Sequence, residues 1–143
     1  MGFGGHQMQP SSISHQLQME IIGETSETTT FTAEWSYTTS RPLEVTATFP
    51  AQPESVTWTF SRDMLADGLR EPTGHGDIVV WPEHADDTEP MVRIWLRTPG
   101  GDAELRAAIA DMNRFLTATW QIIPAGAEYD HLDVDTVLER LFT

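Results

Sequence analysis

The chain has 143 residues, enough for one domain with a working core, and carries 22 acidic against 8 basic side chains, a net charge of −14. It has no cysteine, which excludes disulfides, thiolate zinc sites, iron–sulfur clusters and cysteine nucleophiles. Every basic residue is arginine, and so acidic a chain suits polyanions poorly, because phosphate neutralisation supplies most non-specific affinity for nucleic acid.

With 39% hydrophobic residues, five Trp and six Phe, the composition is that of a folded protein rather than a disordered one. Apolar runs stay far shorter than the roughly 20 residues a membrane-spanning helix needs, so no direct membrane insertion is expected. The start, Met1-Gly2-Phe3-Gly4-Gly5-His6, lacks the basic and apolar stretches of a secretory signal, and a cytoplasmic location is expected.

Residues 1–12 are rich in Gly, Gln and Ser and read as a flexible leader to a single domain over 13–143. From Ser14 a period of two begins, with Leu17, Met19 and Ile21 alternating against Gln16, Gln18 and Glu20. The alternation returns in Phe31, Ala33, Trp35 and Tyr37, then in Val45, Ala47 and Phe49, then in Val56, Trp58 and Phe60. Short polar connections separate these segments, which predicts an antiparallel meander with one wet face.

The period then changes. Met64, Leu65 and Leu69 predict a helix over 62–70, with Asp63 in its first turn and Arg70 in its last. Gly74-His75-Gly76-Asp77 turns the chain into the apolar run 78–81. The acid-rich stretch 82–90, with Pro at both ends, reads as an exposed connection. Val92, Ile94 and Leu96 form the inner face of a further strand, leaving Arg93, Trp95 and Arg97 on the other.

Asp102 is a candidate N-cap for a long helix in which Leu105, Ile109, Met112, Leu116, Trp120 and Ile123 make one apolar stripe, ended by Pro124. A last helix is expected from about Asp135. The expected fold is α+β but mainly β: a curved antiparallel sheet or open barrel of about six to eight strands, packed by the long helix of the C-terminal half.

No motif demands catalysis. The five histidines lie apart from one another and none forms a helical metal pair, so surface or turn roles are the expectation. Gly74-His75-Gly76-Asp77 fits neither phosphate-loop pattern, because a strand follows where a helix N-terminus would be needed. Asp86, Asp87 and Glu89 lack calcium-loop spacing, and Asp130, Asp133 and Asp135 suit a helix start. No serine sits in a nucleophile elbow, and paired carboxylates for glycoside cleavage are a three-dimensional matter that the sequence leaves open. Catalytic, metal and cofactor-binding residues are therefore assigned to none.

The remaining feature is Arg93-Ile94-Trp95-Leu96-Arg97. Trp95 lies between two arginines on the non-core face, and Trp and Arg are favoured interface anchors. Two readings stand: a protein-interaction surface of Arg93, Trp95 and Arg97, or a Trp95 packed beneath its own chain with the arginines answering nearby acids.

One long stretch resembles a known family. Val56-Thr57-Trp58-Thr59-Phe60-Ser61-Arg62-Asp63-Met64-Leu65-Ala66-Asp67-Gly68-Leu69-Arg70 continues through Pro72 and Gly74 to Gly76-Asp77-Ile78-Val79-Val80-Trp81-Pro82. It is similar to the signature of the SsgA-like sporulation and cell-division proteins of actinobacteria, and within them to the SsgB branch. The likeness extends into Phe115-Leu116, Ile123-Pro124-Ala125-Gly126 and His131-Leu132-Asp133-Val134-Asp135.

The resemblance implies a non-enzymatic adaptor for sporulation-specific septation. Such a protein marks division sites, is positioned by an SsgA-type protein and recruits the tubulin-like GTPase FtsZ to the septum. It implies a homotrimer and a fold like that of whirly and guide-RNA-binding proteins, with no catalytic residue to carry over. The fold's relatives add a rival function, single-stranded nucleic-acid binding, which needs a basic groove that eight arginines among 22 acids supply poorly.

Overall fold

The computed structural model describes residues 11–131. Eight antiparallel strands form one sheet: β1 (Ser12–Ile22), β2 (Thr28–Thr38), β3 (Glu44–Phe49), β4 (Val56–Ser61), β5 (Thr73–His75), β6 (Ile78–Glu83), β7 (Met91–Thr98) and β8 (Gly101–Ala108). Two helices, α1 (Arg62–Gly68) and α2 (Ile109–Ile122), and a 3-10 turn at Glu128–His131 complete the described chain. The strand order β4-β3-β2-β1-β8-β7-β6-β5 makes two four-stranded meanders joined where β1 pairs with β8. The sheet curls into a half-barrel around its apolar face.

The expected alternation sets this face. Leu17 and Met19, Ala33, Trp35 and Tyr37, Val45 and Ala47, and Phe60 are buried along the first meander. Val80, then Val92, Ile94 and Leu96, then Leu105 and Ala107 do the same along the second. Period-two side chains can share one face only if register is kept, and the pairing of Leu17 with Ala33, Trp35 with Ala47 and Ile94 with Leu105 keeps it.

The segment after Gly100 corrects the sequence reading. Residues 101–108 form β8 rather than the first turns of a helix, and Asp102 lies opposite Arg97 in the ladder instead of capping a helix. Ala103, Leu105 and Ala107 alternate with Asp102, Glu104 and Arg106, a strand period that the helical spacing of Leu105 to Ile109 concealed. Gly101, at φ 126°, closes a tight hairpin between β7 and β8 that most residues would strain to form.

The helix therefore starts at Ile109, whose N–H donates to the Pro90 carbonyl at 3.0 Å. Its buried side is Met112, Phe115, Leu116 and Thr119, with Ile123 just beyond its end. Phe115 meets Trp35 at 6.2 Å between ring centroids and His15 at 5.5 Å. The shorter helix covers only part of the concave face.

At the other helix, the Ser61 hydroxyl accepts from the Met64 N–H at 3.2 Å and caps α1, and Gly68 ends it before Arg70. The glycines of residues 74–77 do make a turn, with Gly76 at φ 63° between β5 and β6. Strand β6 runs through Pro82 to Glu83, so the acid-rich connection is shorter than expected. Most of the leader and the helix expected from Asp135 lie outside the described residues, and Ser12 already belongs to β1.

Candidate functional site

Three places hold the distinctive side-chain chemistry: the convex face around β7, the end of the concave face beyond α2, and a buried ionic staple joining α1, the end of α2 and the turn at Glu128–His131.

On the convex face, alternation along β7 places Arg93, Trp95 and Arg97 together, as the sequence implied. Ladder partners extend the group: Trp81 opposite Arg93 and Val79 opposite Trp95 on β6, Arg106 and Glu104 on β8, and Glu20 on β1. Arg93 is held by two acids, donating through Nε and Nη2 to Glu83 at 2.9 and 3.0 Å and through Nη1 to Glu104. The hydrogen bonds from Arg93 hold the Glu83 carboxyl below the ordinary glutamate range, and Glu83 in turn raises the guanidinium of Arg93. Arg106 pairs with Glu20 and reaches Glu83 at 3.8 Å.

Arg97 differs. Its guanidinium lies over the Trp95 ring, 5.3 Å from the centroid, and it forms no ion pair among the described residues. Trp95 is half-buried and Arg97 exposed. The two thus form an exposed cation–π pair beside a self-neutralised cluster. Arg93, grouped with them on sequence grounds, is engaged within its own chain.

The remaining arginines leave no basic groove among the described residues. Six of the seven arginines described, Arg41, Arg62, Arg70, Arg93, Arg106 and Arg114, are ion-paired to carboxylates. A strand of phosphates would have to displace them.

At the end of the concave face that α2 leaves open, Ile21, Phe31, Phe49, Trp58, Leu96 and Leu105 line a groove of about 310 Å³. Ile21 stays 40% exposed and Val56 45% exposed, both large apolar side chains. Among the described residues no charged side chain lines the groove. The expected single long helix would have covered more of this surface.

The third feature escaped sequence reasoning. Arg62, at the first turn of α1, is fully buried. It donates to Glu128 at 2.7 Å, to the Ile123 carbonyl at 2.8 Å and to the Thr119 carbonyl at 3.3 Å, and lies 4.8 Å over the Tyr37 ring. The other Glu128 oxygen accepts from the Gly126 N–H at 2.8 Å, and Tyr37 donates to the Pro42 carbonyl. Bonding to Arg62 holds the Glu128 carboxyl below its ordinary range, while burial pushes the Tyr37 phenol up. The cluster ties α1, the end of α2 and the loop beyond it to β2. Arg62 lies within the motif stretch Val56–Pro82, but a charged residue next to Asp63 gives no local sign of burial.

The other sequence candidates do not converge. Among the described residues no three His, Cys, Asp or Glu side chains gather as metal ligands. His75 and His84 are exposed, on the β5–β6 hairpin and in the loop after β6, and His15 lies edge-on to Phe115. His6, Asp133 and Asp135 lie outside the described residues. No described helix is long and apolar enough to cross a membrane.

The arrangement is that of an open β half-barrel whose exposed chemistry lies in two surfaces rather than in a converged constellation of reactive groups. Residues 31–128 match the family described as Streptomyces sporulation and cell division protein, SsgA, and the chain belongs to that family.

The chain is 35% identical over 132 residues to the sporulation-specific cell division protein SsgB of Streptomyces coelicolor, covering 92% of this chain and 96% of that one. Against SsgB of Thermobifida fusca the identity is 33% over 126 residues, 87% and 91% of the two chains. A solved structure from a study of SsgB mutations that correlate with longitudinal division during sporulation of S. coelicolor superposes with a TM-score of 0.80. It is 35% identical, covering 85% of this chain and 96% of that one. The SsgA-like sporulation-specific cell division protein of T. fusca gives 0.81 at 32% identity, over 91% and 95%. The fold and the sporulation and cell-division family are therefore those that the long motif implied.

Proposed function

We propose that the chain is a non-enzymatic adaptor of sporulation-specific septation, cytoplasmic and recruited to the division septum, which brings the tubulin-like GTPase FtsZ to the site. An SsgA-type protein positions it, and it acts as a homotrimer. Linking three weak contacts to one polymer raises avidity by roughly 10²–10⁴-fold when geometry permits simultaneous engagement.

The observation that carries the docking part of this reading is the exposed stack of Arg97 on Trp95. FtsZ is acidic as a family, and this chain carries −14, so long-range electrostatics oppose the encounter. Capture then depends on short-range contact with an aromatic surface and a cation that no carboxylate among the described residues pairs with. Trp95 and Arg97 supply both, and Arg93 contributes by engaging Glu104, the ladder partner of Trp95, together with Glu83.

The test is co-sedimentation with GTP-assembled FtsZ from the same organism at two salt concentrations, with single-stranded DNA as a parallel ligand. Pelleting that moderate salt leaves unchanged or strengthens, and that Trp95→Ala abolishes while the variant still unfolds cooperatively from a folded state, is the expected result. DNA binding without pelleting would replace the adaptor with a nucleic-acid function.

A further inference from the structure

We infer that the first half of β1 is an open sheet edge that pairs with the same strand of a second copy of this chain, antiparallel and centred on Ser14. The inference is independent of FtsZ and of the trimer.

Strand β1 runs from Ser12 to Ile22, but β8 accompanies it only from Met19 to Ile22, because the chain leaves the sheet after Ala108 to begin α2. On its other side β1 is paired with β2 along its whole length. The Thr39 N–H donates to the Ser11 carbonyl at 2.9 Å in the same register, which fixes the phase of that ladder. Odd-numbered residues of β1 therefore turn their main-chain groups toward β2, and even-numbered ones turn them away. Glu20 and Ile22 meet β8 in this way, opposite Arg106 and Glu104. Ser12, Ser14 and Gln16 aim three N–H and three C=O groups at a place where no described strand lies. All three residues are exposed. Unpaired groups in such a row call for a main-chain partner, and an extended strand supplies one.

Two features select a second copy as that strand. Pairing about Ser14 sets Ser14 against its own counterpart and Ser12 against Gln16, which satisfies all six groups on both chains. A register shifted to centre on His15 would set Ser12 against Gln18, where the end of β8 already stands. Charge is the second feature. Residues 1–19 contain no Asp, Glu or Arg, the longest such run in a chain of net charge −14. Like charges directly opposite destabilise a strand pair, and here none meet. Glu34, which accepts from the Ser14 hydroxyl at 3.3 Å, stands one strand back on β2. Its two copies are at least three strand spacings apart, about 14 Å, beyond a screening length of about 8 Å in physiological salt. The contact is isologous and has two-fold symmetry. It builds no trimer; it doubles whatever assembly the chain forms otherwise.

The chain has no cysteine, so single introduced ones report the register. In the paired ladder the two Ser14 Cα atoms lie about 5.5 Å apart, within reach of a disulfide. Under mild oxidation, full-length Ser14→Cys should form a covalent dimer at least tenfold faster than Ser12→Cys, whose two copies lie roughly 13 Å apart along the strands. Mixing Ser12→Cys with Gln16→Cys should restore the fast reaction as a heterodimer. Ser14→Pro removes an N–H that β2 does not use, so it should still unfold cooperatively. By sedimentation at raised concentration its mass should fall to half that of the unaltered chain. Trp95→Ala should leave these readouts unchanged, which separates failure of this proposal from failure of the FtsZ reading. Equal cross-linking rates for Ser14→Cys and Ser12→Cys, an unchanged mass in Ser14→Pro, or an unaltered chain whose mass does not rise with concentration would overturn it.

Discussion

The guanidinium of Arg62 and the carboxylate of Glu128 meet at 2.7 Å although 66 residues separate them, and both side chains are closed off from water. A buried pair of this kind recovers its desolvation only when further hydrogen bonds complete it, and here the Ile123 and Thr119 carbonyls and the Gly126 N–H do so. Arg62 Nε remains without an acceptor among the described residues.

Glu128→Ala should therefore be severe, by about 3–5 kcal/mol, because it strands a buried cation. The double replacement Arg62→Met with Glu128→Leu should recover most of that loss, since no charge is left to desolvate. Urea midpoints of the three proteins decide the matter; a double variant as unstable as the single one would mean that the carbonyl contacts, not the charge pair, hold the segment.

The same carboxylate makes the fold sensitive to acid. Its pKa is lowered in the folded protein, so its contribution is fully present above the ordinary glutamate range and is lost as pH falls through the lowered value. Stability should decline on acidification through that window, and Glu128→Gln should flatten the decline while lowering stability at neutrality. Unfolding free energies measured against pH for both proteins provide the comparison.

Gly68 ends α1 against β6, and a Cβ placed there would come within 2.3 Å of Val80 Cγ1 and 2.6 Å of its Cβ. The β-branched neighbour has little rotamer freedom with which to yield. Gly68→Ala is expected to cost about 1–3 kcal/mol through overpacking. Gly100→Ala, where the nearest atom is 4.0 Å away, should stay within about 0.5 kcal/mol. Thermal unfolding of the two variants side by side checks the contrast.

The two arginines of the convex face should part company. Removing Arg97 ends one exposed cation–π contact, worth about 0.5–1 kcal/mol. Removing Arg93 leaves Glu83 and Glu104 without their shared cation and should cost roughly 1 kcal/mol more. In Arg93→Ala the Glu83 carboxyl should also titrate nearer the ordinary glutamate range, which carbon-detected NMR would register.

How much of this was legible follows the range over which each signal acts. The first meander could be read because Leu17, Ala33, Trp35, Val45 and Phe60 each alternate with polar neighbours in their own strands. Strand β8 was misread because Leu105 lies four residues before Ile109, and one shared spacing let a strand and a helix look continuous. The charged alternation of Asp102, Glu104 and Arg106 was the better guide, since it placed each of them opposite Arg97, Trp95 and Arg93. Placement of Arg93, Trp95 and Arg97 on one face was likewise local and was found. The cation stack, the Arg93 pairs and the Arg62–Glu128 contact depend on residues brought in from other strands or from the chain's far end, which periodicity does not encode. The open groove was hidden for a related reason, because its existence depends on how far α2 reaches.

The joint between β1 and β8 bears on how the chain reaches this state. Every other ladder in the sheet links strands that follow one another in sequence, whereas Met19, Glu20, Ile21 and Ile22 must find Ala107, Arg106, Leu105 and Glu104. Each meander can assemble from nearby segments, but uniting them means closing a loop that contains most of the chain. Such distant pairing carries the largest entropy of closure and slows folding most. The seam is therefore the pairing expected to limit the folding rate, and substitutions along it should slow folding more than substitutions within either meander.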